Sequence, residues 1–259
     1  RPSRRRPGPR ERPIVEPTAS NHVWSADFKG EHRLGNGELC YPLTIVDRWS
    51  RFVLAIRCRR STAVLGAREV FEQVFREVGL PEAILTDGGV PFAGPQSPRR
   101  LSRLSVWWLG RGPVATQPAK PQQNGGHEQM HRVLKAEATR PPSYGWAAQQ
   151  RRYTLFRRDY NEQRPHESLD MKVPASLYVP SRRSYPRRLE DPSYPGHWEL
   201  RRVRSSGEIK WKGQCLFVSE VLGGELVGLE EVVDGLWSVS FGALLIGRYD
   251  DREGQLYRL

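Results

Sequence analysis

Apolar and polar positions alternate differently along this chain, and the changes of period mark out its elements. From about Val23, the runs VWSADF, YPLTIVD and RFVLAIRC are rich in β-branched and aromatic residues and predict three strands. The last two are joined by a short turn around 48–50, and the first is set off by the Gly-rich stretch GEHRLGNGELC, which together predict an antiparallel meander. The period then lengthens. Val70, Phe71, Val74, Phe75 and Val78 have helical spacing, and Gly79 and Pro81 end that helix. The strand AILTD follows, then a helix near 101–109, a short strand near 114–116 and the Pro-rich PAKPQQNGG.

The segment 126–140 predicts a helix with Met130, Val133, Leu134 and Ala138 on its apolar face. Glu128, His131, Arg132 and Lys135 are expected on the other side. A further helix is expected over 146–161, with Trp146, Tyr153, Phe156 and Tyr160 inward. Arg151, Arg152, Arg157 and Arg158 are expected largely outward, as a solvated face or as contacts to a nucleic-acid backbone. Residues 162–198 are Pro-rich and basic, a linker or a wrapping segment. From about Glu199 the runs ELRRV, EIKWKG, QCLFVSE, LVGLEEV, LWSVSF and ALLIGRYD, punctuated by Gly, predict a small antiparallel barrel-like β domain. The division expected is a basic arm over 1–20, an α/β core over 21–180, a Pro-rich linker over 181–198 and the β domain over 199–259. No repeat of fixed period is present.

Composition narrows the partner. The 259 residues carry 41 Lys plus Arg against 29 Asp plus Glu, a net charge of +12. That excess excludes a neutral surface and favours an anionic partner, nucleic acid ahead of membrane. Residues 1–13 hold six Arg and four Pro with one Glu, which reads as a solvated linker or as an arm on phosphates. No apolar run approaches the roughly 18 residues that span a bilayer, and no signal segment opens the chain. Cys40, Cys58 and Cys215 are odd in number, far apart in sequence and without CxxC spacing. This argues against a disulfide framework or a zinc knuckle and fits a reducing cytoplasm. The chain starts at Arg1 rather than Met, as a fragment or a processed chain does.

Three acidic residues stand where charge is costly or turns are sharp. Asp27 lies inside the apolar run VWSADF, where a bare carboxylate is expensive to bury. Asp87 ends the strand AILT just before Gly88 and Gly89. Glu128 opens a helix after Asn124–Gly126. Each has a plain structural explanation alone: a strand-edge residue, a turn residue, a charge at a helix start. In a βββαβα order the three can converge, and hard oxygen ligands in a basic protein suit Mg²⁺ or Mn²⁺. Two such ions stabilise the attacking and the leaving oxygens of a phosphodiester displacement.

The motifs WSADFKG, YPLTIVDRWSRF, GLPEAILTDGGVPF, PQQNGGHEQMHRVLKAE and YNEQRPHESL, in that order, resemble the catalytic core of bacterial insertion-sequence transposases. These are relatives of retroviral integrases with an RNase H-like fold. The resemblance covers about 21–177, and the tail IKWKGQCLFVSEVLGGELVGLEEV is similar to the β-rich end of such transposases. It implies a mixed five-stranded sheet with helices and an Asp27, Asp87, Glu128 metal-binding triad. It implies hydrolysis at a transposon end and attack of the freed 3′-hydroxyl on target DNA by a homo-oligomer. By the same resemblance His131 and Lys135 lie near the DNA end. Asp87-Gly88-Gly89 stands where the family commonly has Asp-Asn-Gly, and Gly126 and Gln129 stand where it more often has Arg. Forty residues separate Asp87 from Glu128, a wider gap than the usual one. The family's usual helix-turn-helix region is absent from this chain.

Other classes compete with that resemblance. A decayed or domesticated copy that binds DNA without cutting it would keep the charge and lose the chemistry. His127-Glu128-Gln129-Met130-His131 matches HExxH, the helical zinc site of metalloproteases, but it sits at a helix start and no clear third ligand follows. A ribonuclease of the same fold has no need of the long basic tail. Among aromatics, Trp24, Trp107, Trp108, Trp146, Trp211 and Trp237 are expected in cores rather than as base-stacking platforms. The run around Trp211 is expected to place Lys210 and Lys212 on one exposed face, suited to phosphates.

Overall fold

The computed structural model describes residues 16–94, 96–110, 115–118 (backbone only), 125–186 and 190–259. The expected basic arm up to residue 15 and most of the PAKPQQNGG stretch lie outside them.

Strands β1 (Val23–Phe28), β3 (Leu39–Asp47) and β4 (Val53–Arg59) form the meander, and the two-residue strand β2 (His32–Arg33) pairs with the start of β3. Helix α1 (Val64–Val78) returns the chain to β5 (Ala83–Thr86), which pairs parallel with β1, and β6 (Ala115–Pro118) pairs parallel with β5. The sheet is therefore mixed, in the order β4-β3-β1-β5-β6. Helices cover both faces. On one, α1 and α2 (Arg103–Leu109) pack Phe71, Phe75, Trp107 and Trp108 against Trp24, Leu43, Ile45 and Ile84. On the other, α3 (Gly125–Ala138) and α4 (Trp146–Glu162) pack Met130, Leu134, Tyr153 and Phe156 against Val46, Val53 and Ile56. Alternation along β1 divides its side chains accordingly: Trp24 and Ala26 join the α1 core, while Ser25 and Asp27 face α3. α2 starts at Arg103, two residues later than expected, because the Ser102 and Ser105 hydroxyls form a capping box there.

The Pro-rich stretch up to residue 186 wraps. Tyr178 stacks on Phe52 with ring centroids 4.3 Å apart and donates its hydroxyl to Asn21 Oδ1. Leu80 N donates to Arg183 O at 2.7 Å, and Tyr185 packs on Phe75.

Beyond it, β7 (Glu199–Arg202), β10 (Leu226–Val233), β11 (Leu236–Phe241), β12 (Leu244–Asp250) and β13 (Gln255–Arg258) make an antiparallel sheet in the order β13-β12-β11-β10-β7. β8 (Glu208–Trp211) and β9 (Gln214–Phe217) form a separate ribbon. The strand pairing of the described residues keeps sheet and ribbon apart, so the hydrogen-bond ladder is not that of a closed barrel. Val203, Ile209, Leu216, Val227, Leu229, Val239 and Ile246 build its core, and Leu101 and Val106 from the α2 region enter the same cluster.

One expectation is overturned. Cys40 and Cys58 form a disulfide, with Cα atoms 5.7 Å apart. Eighteen residues of separation hide the fact that β3 and β4 are hairpin neighbours. Pro42 lies opposite Cys58, and Cys40 is two residues from Pro42 on the same sheet face, so the two cysteines are diagonal partners. Cys215 is free and exposed. No helix among the described residues is long and apolar enough to cross a membrane.

Candidate active site

The parallel register pairs Ala26 with Thr86. Asp27 and Asp87 each follow that pair by one residue, so they stand side by side at the carboxyl ends of adjacent strands, where backbones run roughly 5 Å apart. Gly88 has φ +75°, the left-handed conformation that lets the chain turn off the sheet there. Gly89 N donates to Asp87 Oδ1 at 3.0 Å, and Arg100 Nη2 donates to Gly88 O at 3.1 Å, holding the turn from both sides. Glu128 arrives from the first turn of α3. Where Gly126 lacks a side chain, the Arg51 guanidinium from the β3–β4 turn lies against its Cα and fills that space with a cation.

The electrostatics tie the three acids together. Burial pushes the Asp27 carboxyl up to about 6; the charge of Asp87 adds to this, the Phe28 N–H and Lys29 oppose it, and the charge of Glu128 adds again. Three hard oxygen donors, of which Asp87 and Glu128 raise the proton affinity of Asp27, are suited to divalent cations. Among the described residues, however, no three His, Cys, Asp or Glu side chains are gathered tightly enough to form a coordination cluster.

The expected outward placement of His131 is corrected. His131 and His127 are buried at 5% exposure each, because α3 lays them against β1 and β3. Both Nε2 atoms lie 2.7 Å from Thr44 Oγ1, and His127 Nδ1 lies 2.7 Å from Ser25 Oγ. Burial is the main cause that drives His127 down to about 3 and His131 down to about 2, aided by Arg48 for the first and by His127 and Lys29 for the second. Burial favours the neutral form of both imidazoles, and His131 Nδ1 approaches Asp27 Oδ2 to 3.6 Å. The HExxH letters therefore describe two imidazoles pinned to one hydroxyl, and nothing in the arrangement favours a zinc protease. Sequence reasoning missed Ser25 and Thr44; the signal was their place on the Asp27 face of β1 and opposite Asp27 in β3.

The expected DNA contacts divide. Arg132, Lys135, Arg151, Arg158 and Lys210 are exposed. Arg152 and Arg157 are already engaged within the chain: Arg152, still at the surface, donates to Glu137 O, Arg140 O and Pro141 O at the end of α3, and the half-buried Arg157 donates to Leu54 O at 2.8 Å. Lys212 is bonded to Asp251 and lies over the Trp237 ring at 4.6 Å, so its charge is already met.

Two family models, both described as an integrase core domain, match consecutive stretches, residues 17–106 and 109–174, together more than half of the chain. An "Insertion element IS407 uncharacterized 31.7 kDa protein" of Burkholderia multivorans is 29% identical over 167 residues, covering 63% of this chain and 57% of that protein. The Pol polyprotein of feline endogenous virus ECE1 is 31% identical over 117 residues, covering 45% of this chain and 11% of its own length. The chain thus spans little more than half of the first relative and a small part of the second. Among solved structures, the HTLV-2 integrase catalytic core domain in complex with magnesium superposes with a TM-score of 0.51 at 15% identity, over 63% of this chain and 100% of that one. A simian T-cell lymphotropic virus intasome in complex with PP2A regulatory subunit B56 gamma gives a TM-score of 0.51 at 17% identity, over 90% of this chain and 80% of that one. At such identities the likeness shows a shared fold.

Proposed function

The chain belongs to the integrase core family, and on that premise we propose that it is a DDE transposase that cleaves and joins DNA. The observation that carries this reading is the placement of Asp27 and Asp87 at the ends of two parallel neighbours, with Glu128 acting on Asp27 from α3. Asp27, Asp87 and Glu128 would hold divalent cations, two Mg²⁺ or Mn²⁺ ions by the chemistry of the reaction, which supply charge stabilisation for the attacking and leaving oxygens. The protein itself offers no nucleophile in this scheme. Water, then a DNA 3′-hydroxyl, attacks the phosphodiester, and the exposed cations Arg132, Lys135, Arg151, Arg158 and Lys210 hold the backbone. Residues 1–20 serve as the basic arm, 21–180 as the RNase H-like core, 181–198 as a connector and 199–259 as a barrel-like β domain adding DNA affinity. The partners are transposon ends and target duplex, engaged by a homo-oligomer in the cytoplasm at the nucleoid.

The test is strand transfer. Purified chain and its Asp87→Ala variant are incubated with labelled transposon-end DNA and plasmid in Mn²⁺. Joined products from the parent alone support the reading. Products from neither, with salt-sensitive DNA binding intact, point to a DNA-binding protein without catalysis.

A further inference from the structure

Lys29 carries a charge that the fold does not use. It continues β1 beyond Phe28, its N–H donating to Pro42 O at 2.9 Å, and Gly30, with φ +85°, turns the chain away immediately after it. Alternation along the strand therefore still holds at Lys29. Phe28 packs against the α1 core, while Lys29 follows Ser25 and Asp27 on the α3 face, with its Cα roughly 7 Å beyond that of Asp27 at the open end of the strand. Its charge is felt inside the site, at Asp27 and at His131. It is paired with neither. The side chain is half-buried, and among the described residues its ammonium forms no ion pair and no hydrogen bond. Other half-buried cations are engaged within the chain, Arg157 by Leu54 O and Arg164 by Glu137.

An ammonium held beside carboxylates that it does not neutralise keeps its charge for an anion, and the anion that belongs at the ends of β1 and β5 is the phosphodiester being cut. In either step the attacking oxygen forms a bond to phosphorus and releases its proton to solvent, while the bond from phosphorus to the 3′-oxygen breaks and that oxygen takes up a proton. Negative charge builds on the phosphate oxygens between them, and a cation positioned in advance is most effective there. We propose that Lys29 is a catalytic residue whose ammonium contacts a non-bridging oxygen of the scissile phosphodiester and stabilises the charge that develops on it. Lys29 gives up no proton in this role. It differs from Arg132, Lys135 and the other exposed cations, which hold phosphates that do not react. The inference rests on the reading of Asp27, Asp87 and Glu128 as the DNA-cleaving centre.

Lys29→Met keeps the stem and removes the charge, and Lys29→Arg keeps the charge. Strand transfer at saturating DNA should slow by on the order of 100-fold in Lys29→Met and recover to within about tenfold of the parent in Lys29→Arg. Duplex affinity should change by less than about threefold, because the contact strengthens only as the charge develops. Mn²⁺ binding, followed by electron paramagnetic resonance, should be at least as tight in Lys29→Met as in the parent, since a neighbouring cation repels the ion. Weaker Mn²⁺ binding would mean that Lys29 acts through the acids and overturns the proposal. So would a loss of duplex affinity, with the salt slope reduced by about one, while the rate at saturating DNA holds: Lys29 would then grip a phosphate that does not react. If Lys29→Met does not fold, Lys29→Arg and Lys29→Gln carry the same comparison, and equal rates for these two overturn it. If the parent joins no DNA, the cleavage reading falls and this inference falls with it; if the parent joins DNA and Lys29→Met joins it equally fast, the inference alone is lost.

Discussion

Asn161 closes on the backbone of Val53 from both sides: its Oδ1 accepts the Val53 N–H at 2.8 Å and its Nδ2 donates to the Val53 carbonyl at 3.0 Å. Gln150 repeats the device further along, accepting from Cys58 N and donating to Ile56 O, both at 2.9 Å. Arg157 takes Leu54 O between them. β4 is the edge of the core sheet, and α4 completes its ladder with side chains where another strand would otherwise pair. Asn161→Leu should therefore leave two buried backbone groups unpaired and cost about 2–4 kcal/mol. Urea unfolding checks it, and a midpoint equal to the parent's would show that the amide does not cap the edge.

That edge shows where sequence reading stopped. The meander, α1, β5, α3 and α4 were legible because each has a clear apolar period, and the three acids were legible because a carboxylate in an apolar strand or beside two glycines is conspicuous. Polar groups that satisfy backbone atoms across 90 or more residues leave no such trace: Arg157 reads as part of a solvated helix face, and nothing in the spacing singles out Gln150 or Asn161. His131 was misplaced for a related reason. At α3 the buried stripe is wider than its apolar residues, since Ser25 and Thr44 supply hydroxyls that make buried imidazoles acceptable. The Cys40–Cys58 pair was missed because sequence spacing does not give hairpin register.

Asp27 is held at a cost to the fold. Its carboxyl titrates near 6 in the folded chain against 3.8 ordinarily, so the native state binds that proton more tightly than the unfolded chain does. The sign follows: the penalty is absent below the unfolded value, grows as pH rises from about 4 to 6, and is complete above that, on the order of 2–3 kcal/mol. In EDTA at pH 7.5, Asp27→Asn should be more stable than the parent by about that amount, and the two should converge near pH 4. Added Mg²⁺ should raise the melting temperature of the parent and leave Asp27→Asn unchanged. A variant less stable than the parent at pH 7.5 would remove the electrostatic account.

The division among the cations makes a second distinction measurable. Each Lys or Arg that neutralises a phosphate contributes about one to the slope of log affinity against log salt. Lys135→Ala and Arg158→Ala, on exposed side chains, should each reduce that slope by about one in a duplex-binding titration and leave unfolding unchanged. Arg157→Ala should do the reverse, lowering stability through the lost bond to Leu54 O while the slope holds. Equal slopes for all four proteins would mean that these helices do not meet the backbone.

The turn after Asp87 is braced from the C-terminal sheet. Arg99 N donates to Leu259 O at 2.6 Å and its Nε to Leu245 O at 3.0 Å, while the next residue, Arg100, reaches Gly88 O. Leu101 then enters the core of the C-terminal sheet. Three consecutive residues thus join that sheet to the loop that aims Asp87, and Gly94 N, donating to Arg100 O at 2.9 Å, folds the loop back on itself. Loosening the brace should free the turn without unfolding either unit. Arg100→Ala is expected to speed amide exchange at Gly88 and Gly89 and to slow strand transfer on the order of tenfold, as loss of a ligand-orienting contact does. Its urea midpoint should stay within about 0.5 kcal/mol of the parent, because the guanidinium is on the surface. Parent-like exchange at Gly88 and Gly89 would show that the Arg100 contact does not hold the loop, and the Gly89 N–H bond to Asp87 would be left as its local anchor.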